Sequence, residues 1–284
     1  MVLSVIDIHP HIIADDEARY PRAPLFGVQS DWSRTRPVSV DGLIAAMDEA
    51  GVGKAAVVQA STCYGFDNSY VVDSIARYPG RLTAVCTVDV LQPDAPRTVE
   101  AWLERGGEGL RLFTGGSTQA FDASILDDPR SFPTWSLIAE LGLSICIQSN
   151  ADGLDRIAGL AERFPKAKIV LDHLTRPDVS DGYPYDKASA LFRMASYDNV
   201  YLKMTPRILE VVDVPPASSE TFFPRLIEVF GARRIAWGSN YPASVGSMKA
   251  NLEAAKAALS SLSAEDQSWI LAKTAQDLYP TLAN

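Results

Sequence analysis

Cysteine, histidine and basic residues are all in short supply in this chain, and each shortage narrows what the protein can be. The three cysteines, Cys63, Cys86 and Cys146, are odd in number and too few for a disulfide framework. Cys86 and Cys146 stand inside apolar, strand-like runs, as reduced core thiols do. Lys and Arg total 26 against 35 Asp and Glu, a formal net charge of -9, with an isoelectric point near 4.9. Neutralising nucleic-acid phosphates takes clustered Lys and Arg, which are missing, so nucleic acid is excluded as the expected partner. No apolar run approaches the roughly 18 residues that suggest a membrane span. The opening Met1-Val2-Leu3-Ser4-Val5-Ile6-Asp7 has neither a basic leader nor an apolar stretch long enough for a signal peptide. A cytoplasmic protein with small-molecule partners is expected. Asn-Gly hairpin turns are absent from the strand ends, which argues against a sandwich.

What the chain does contain is alternation. Apolar runs occur at Ser4 to Ile8, Lys54 to Gln59, Leu82 to Val88, Gly109 to Phe113, Leu143 to Gln148, Lys168 to Asp172, Asn199 to Met204 and Arg234 to Trp237. Helix-length segments separate them, two with clear stripes of period 3.6: Val40, Leu43, Ile44, Met47 before Gly51, and Leu154, Ile157, Ala158, Ala161. Strand then helix, repeated eight times, predicts a single (β/α)8 TIM barrel in one domain over residues 1–284, with a doubly wound open sheet as the alternative. A long polar, proline-containing insertion, Ala14 to Pro37, follows the first strand and is placed to form a lid.

In a barrel the reactive groups stand at the carboxyl ends of the strands. Those ends carry Asp7, His9 and His11; Gln59, with Ser61, Cys63 and Tyr64 beyond; Arg111; Gln148 and Asn150; His173 and Arg176; Lys203 and Arg207; and Ser239, Asn240 and Tyr241. All three histidines are therefore at strand ends. His9 and His11, two apart, share a face if the chain there is extended. Arg111 and Arg207 offer guanidinium forks that suit a carboxylate or vicinal hydroxyls. Lys203 fits equally a site group or a buried ion pair.

His9-Pro10-His11 ending the first strand, Asp172-His173 ending the sixth and Trp237-Gly238-Ser239-Asn240-Tyr241-Pro242 after the eighth resemble the amidohydrolase superfamily, in its amidohydrolase-related branch of lactonases and decarboxylases. Val58-Gln59-Ala60-Ser61, Tyr64-Gly65, Asp67-Asn68 and Gly109-Leu110-Arg111 are most similar to its sugar-lactone and pyrone-dicarboxylate lactonases. The resemblance implies a hydrolase that opens the ring ester of a small carboxylated or sugar-acid lactone. His9, His11, His173 and Asn240 would be the catalytic set, and Gln59, Tyr64, Arg111, Gln148, Arg207 and Tyr241 would bind an anionic substrate.

The departures from the family pattern bear on mechanism. Arg111 and Gln148 occupy the places of the carboxylated lysine and the fifth-strand histidine of binuclear members, which removes a two-metal centre. Asn240 stands where the family has an aspartate that serves as ligand and base, and an amide does neither well at neutral pH. Two mechanisms remain open: one Zn²⁺ on His9, His11 and His173, or metal-free catalysis by imidazole. A lactone isomerase, a non-oxidative decarboxylase and a catalytically disabled binding barrel are the alternatives to hydrolysis. Both a monomer and a homodimer are compatible with the sequence.

Overall fold

The computed structural model describes residues 4–283. Eight parallel strands are arranged in sequence order. They are β1 (Val5–Asp7), β2 (Val52–Val58), β3 (Leu82–Thr87), β4 (Gly107–Phe113), β5 (Ser144–Gln148), β6 (Lys168–Asp172), β7 (Val200–Met204) and β8 (Ile235–Trp237). Ile8 N–H donates to the Trp237 carbonyl at 3.1 Å and His11 N–H to that of Tyr241 at 2.8 Å, stitching the first strand's exit to the last and almost closing a (β/α)8 barrel. The open-sheet alternative is thereby set aside.

The helices form as their stripes predict. Val40–Ala50 starts at Ser39, whose hydroxyl accepts from Gly42 N–H, and ends at Gly51 in the left-handed conformation that glycine adopts without strain. It buries Val40, Leu43 and Met47 against the sheet. Leu154–Arg163 buries Leu154, Ile157, Leu160 and Ala161. Burial on both faces explains why the strands read as continuous apolar runs.

Two apolar clusters result. The larger lies between strands and helices, and the smaller fills the lower barrel interior, where Ile6, Ala56, Val85, Cys146 and Val170 meet Leu278 and Tyr279 of the C-terminal segment. Tyr279 plugs the barrel floor, with its hydroxyl 3.4 Å from Cys146 Sγ. Polar side chains are thereby left to the upper end. The Ala14 to Pro37 insertion lies over that end, tied by Ala23 N–H to Cys63 O (2.9 Å) and Ser30 N–H to Thr62 O (3.2 Å). Arg36 Nη2 adds a bond to Ala243 O at 2.9 Å. Among the described residues no helix is long and apolar enough to cross a membrane.

Candidate active site

Asp172 and Lys203 are register partners on β6 and β7, so both side chains point inward from the same level. Lys203 Nζ lies 2.9 Å from Asp172 Oδ1, and Arg111 Nε lies 2.9 Å from Asp172 Oδ2. Burial raises the cost of charging Asp172, but Lys203, His9 and Arg111 outweigh it and hold the carboxyl well below its usual range. Burial likewise opposes the Lys203 charge, yet Asp172 and Cys146, whose Sγ is 3.1 Å away, leave that lysine above its ordinary value. Arg111 also bonds Gln148 Oε1, and Gln148 Nε2 donates to Gly115 O at 2.9 Å. The guanidinium expected to read a substrate carboxylate therefore has its Nε and Nη2 engaged within the protein, leaving Nη1.

The three imidazoles cluster, with the rings of His11 and His173 centred 5.0 Å and 4.9 Å from that of His9. They are not equivalent. β1 ends at Asp7, so His9 and His11 lie beyond the strand instead of on it. Asp7 Oδ1 accepts the N–H groups of His9 (2.9 Å) and Ser239 (2.8 Å), and a Cβ on Gly238 would come within 2.5 Å of His9 Cβ. This close packing encloses His9 completely. Its Nδ1 stands 3.5 Å from Asp172 Oδ1, and neither ring nitrogen has a hydrogen-bond partner. Burial pushes Asp7 up to about 6 against those hydrogen bonds and Lys203.

His11 and His173 face the cavity at the barrel mouth. His11 Nδ1 donates to Val58 O at 2.8 Å, which leaves Nε2 with a free lone pair, and its ring stacks on Trp32 of the insertion at 5.2 Å. His173 Nδ1 is 2.7 Å from Thr205 Oγ1. Burial, then Arg111, pushes His11 down to about 3. Burial also lowers His173 well below its ordinary value, and Arg207, Arg111 and Arg176 counter the support of Asp172. Both rings are neutral at pH 7.

The backbone that presents His173 is strained. His173, Leu174, Thr175 and Arg176 all have φ between 53° and 56°, a left-handed turn that costs roughly 1–2 kcal/mol per L-residue. It brings His173 and Arg176 to the cavity together. Asn240 also adopts a positive φ of 51°. Its Nδ2 donates to Ser244 Oγ at 2.9 Å, leaving Oδ1 as an acceptor.

The cavity has a volume of about 40 Å³, and its walls include His11, His173, Asn240, Arg111, Arg176, Arg207, Gln148 and Trp32, with no carboxylate among its lining residues. Burial and the nearby Arg207 and Arg111 lower Arg176 from its ordinary value, while Arg207 Nε is buried without a partner. Three guanidiniums thus line one cavity whose lining residues include no acid. For a divalent cation the donor set is three imidazoles with no anionic ligand, because Asp172 is already neutralised by Lys203 and Arg111 and Asn240 brings a neutral amide.

Three residues expected at the substrate do not line this cavity. Gln59 Nε2 bonds the carbonyls of Gly65 and Asp67 and fixes the turn after β2. The Tyr64 hydroxyl accepts from Ala14 N–H at 2.7 Å and from Arg22, anchoring the insertion. The side chain of Tyr241 packs against the larger core, and its carbonyl takes the His11 N–H. Conversely, Trp32, Arg176, Thr205 and the Asp172–Lys203 pair belong to the site or its support. A charged residue facing inward from an apolar strand was the available signal for Asp172 and Lys203. No local signal marked Thr205.

An L-fucono-1,5-lactonase from Burkholderia ambifaria is 26% identical over 244 residues, 84% of this chain and 80% of that protein. The fold is shared with a protein from Pseudomonas putida provisionally assigned as a 2-pyrone-4,6-dicarboxylic acid hydrolase (TM-score 0.78, 22% identity, 99% of each chain). It is also shared with a zinc-bound amidohydrolase from Burkholderia multivorans (TM-score 0.76, 20% identity, 97% of this chain and 99% of that one). The amidohydrolase family model matches residues 6–281, nearly the whole described chain. This chain belongs to the amidohydrolase family.

Proposed function

We propose that the protein is a hydrolase that opens the ring ester of a small lactone bearing a carboxylate or sugar-acid group, and that it does so without a metal ion. The observation that carries this reading is the cavity itself: three arginines, two neutral imidazoles and two amides, with no acidic lining residue. A lactone-opening relative supports the reaction class. Residues 1–284 act in this reading as one catalytic domain, and every group named comes from the one chain.

Arg176 and Arg207 take the substrate's carboxylate. Arg111, braced by Asp172 and Gln148, directs its remaining N–H groups at the lactone carbonyl oxygen, where negative charge develops. His173 Nε2 is the base, with Nδ1 held by Thr205. Water gives a proton to His173 as its oxygen attacks the carbonyl carbon, and the π electrons move onto the oxygen facing Arg111. Collapse of that intermediate breaks the ring C–O bond, and the departing alkoxide recovers the proton from the imidazolium. Asn240 Oδ1 accepts the water's second hydrogen and sets its direction. His11, stacked on Trp32, and His9, whose Nδ1 faces Asp172 Oδ1 at 3.5 Å, are positioning residues.

The low basicity of His173 has a use here. Part of it comes from the three guanidiniums, and a bound substrate carboxylate cancels that field. The imidazole therefore becomes a competent base when the correct anion is present.

Proton release from a panel of carboxylated and sugar-acid lactones, with NMR identification of product, tests the proposal. A ring-opened hydroxy acid formed by rigorously metal-free protein is the expected result. The amide at Asn240 favours a second reading, a lactone isomerase that moves the acyl group between hydroxyls without water. An isomeric lactone formed with no proton release would select it.

A further inference from the structure

The polar cavity, at about 40 Å³, holds only a few water-sized groups, whereas pockets for small ligands commonly span about 300–1,000 Å³. A carboxylate and a reacting carbonyl fill it, so the remainder of the substrate lies elsewhere. Beside it is a second cavity of about 330 Å³, lined by Leu25, Phe26, Phe66, Val90, Leu91 and Phe113 among others. Phe113 lines both cavities. It follows Arg111 on β4 with one residue between, so both project from the same face, and the Arg111 guanidinium lies 5.3 Å from the centre of its ring. One wall is therefore continuous from the cationic site into the apolar one.

The rim of the apolar cavity carries a conformational cost. Phe26, in the insertion, has a φ of 63°, a conformation that bulky residues rarely adopt, and its side chain is 49% exposed. Its ring stands 6.2 Å from that of Phe113. Phe66, across the opening, is 43% exposed. An exposed phenyl ring held on a strained backbone is the kind of feature that marks a contact surface.

We infer that the substrate carries an apolar arm, an alkyl or aryl substituent on the lactone acid, which the Phe26–Phe66–Val90–Phe113 cavity binds while the arginines hold the carboxylate. This deepens the proposed reaction by naming the substituent that sets specificity. It separates the chain's substrate from fully hydroxylated sugar lactones.

The test is isothermal titration of the intact protein with acetate, butanoate, hexanoate and 4-phenylbutanoate, so that binding is read without turnover. Affinity should rise about three- to four-fold per added methylene, matching about 0.8 kcal/mol for each buried CH₂. Phe66→Ser and Phe26→Ser, both at exposed side chains of this cavity, should each flatten the series and leave acetate binding and melting temperature unchanged. A series of equal affinities, failure of every member to bind, or a rise that both variants retain would overturn the inference. If the rise is found but no lactone is opened, the ring-opening reading fails and the apolar subsite stands.

Discussion

Lys203 and Arg111 at the barrel centre and Arg176 and Arg207 at its mouth carry the same charge in opposite circumstances. The inner pair is buried against Asp172 at 2.9 Å on both sides. The outer pair lines a cavity without an acid. The inner cations share one carboxylate, which with Gln148 fixes their positions, and Arg111 still lends its charge to the cavity it lines. Burial and the nearby Arg207 lower the basicity of Arg176, so in the proposed reading the outer cations gain most from an anion. Pairing, more than residue type, separates scaffold from binding surface here.

Removing the shared carboxylate should have the largest effect on that contrast. Asp172→Asn leaves buried Lys203 and Arg111 without their counter-charge, a change that typically costs roughly 3–5 kcal/mol. Urea unfolding should show that loss, and a variant of unaltered stability would break the distinction between centre and mouth. Next, His173→Gln should lower kcat for lactone opening by about 10²–10⁴-fold, the usual range for a proton-transfer group, with a far smaller effect on unfolding. Equal losses of stability and activity would make His173 a structural residue instead.

Arg207→Gln should act mainly on recognition, raising KM for a carboxylated lactone by about 10–100-fold, as expected when a charge-assisted hydrogen bond worth about 1.5–3 kcal/mol is lost. A fall in kcat at constant KM would move Arg207 from binding the carboxylate to stabilising the reacting carbonyl. The smallest effect concerns Asp7. Its pKa in the fold, about 6, lies above that of an unfolded aspartate, about 3.9. Its favourable contribution is therefore fully present below about pH 4 and is lost as pH rises through 6. Asp172, whose pKa is depressed, works in the other direction, and its contribution is lost as pH falls below the unfolded value. Asp7→Asn should flatten the stability profile between about pH 4 and 6, as followed by urea midpoints. An unchanged slope would assign that titration to another group.

Most of the barrel was legible because burial on both faces leaves a composition signature: eight apolar runs, separated by helix-length segments, map onto eight strands within a residue or two. The grouping of the histidines at strand ends was legible for the same reason. Their inequality was not. It follows from the Asp7 turn and the contact of Gly238 with His9, neither of which has a sequence period. Gln59, Tyr64 and Tyr241 follow strand ends, and the family resemblance implies a substrate role for them. Whether such a residue faces the cavity or the insertion depends on loop geometry, and here Tyr64 faces Ala14 and Arg22. Arg111 offers a fork in the sequence, but two of its nitrogens are taken within the protein, and its partner Asp172 is 61 residues away, beyond any local pattern. The left-handed turn from His173 to Arg176 has no glycine to announce it.

The claim that the outer arginines await the substrate's anion is tested most directly by comparing kcat/KM for a carboxylated lactone with that for its neutral methyl ester. In the native protein the acid should be preferred on the order of 100-fold, the scale of a lost charged partner in a buried site, and the preference should collapse in Arg176→Gln/Arg207→Gln. An ester opened as fast as the acid, or an acid preference that survives loss of both arginines, would contradict the account.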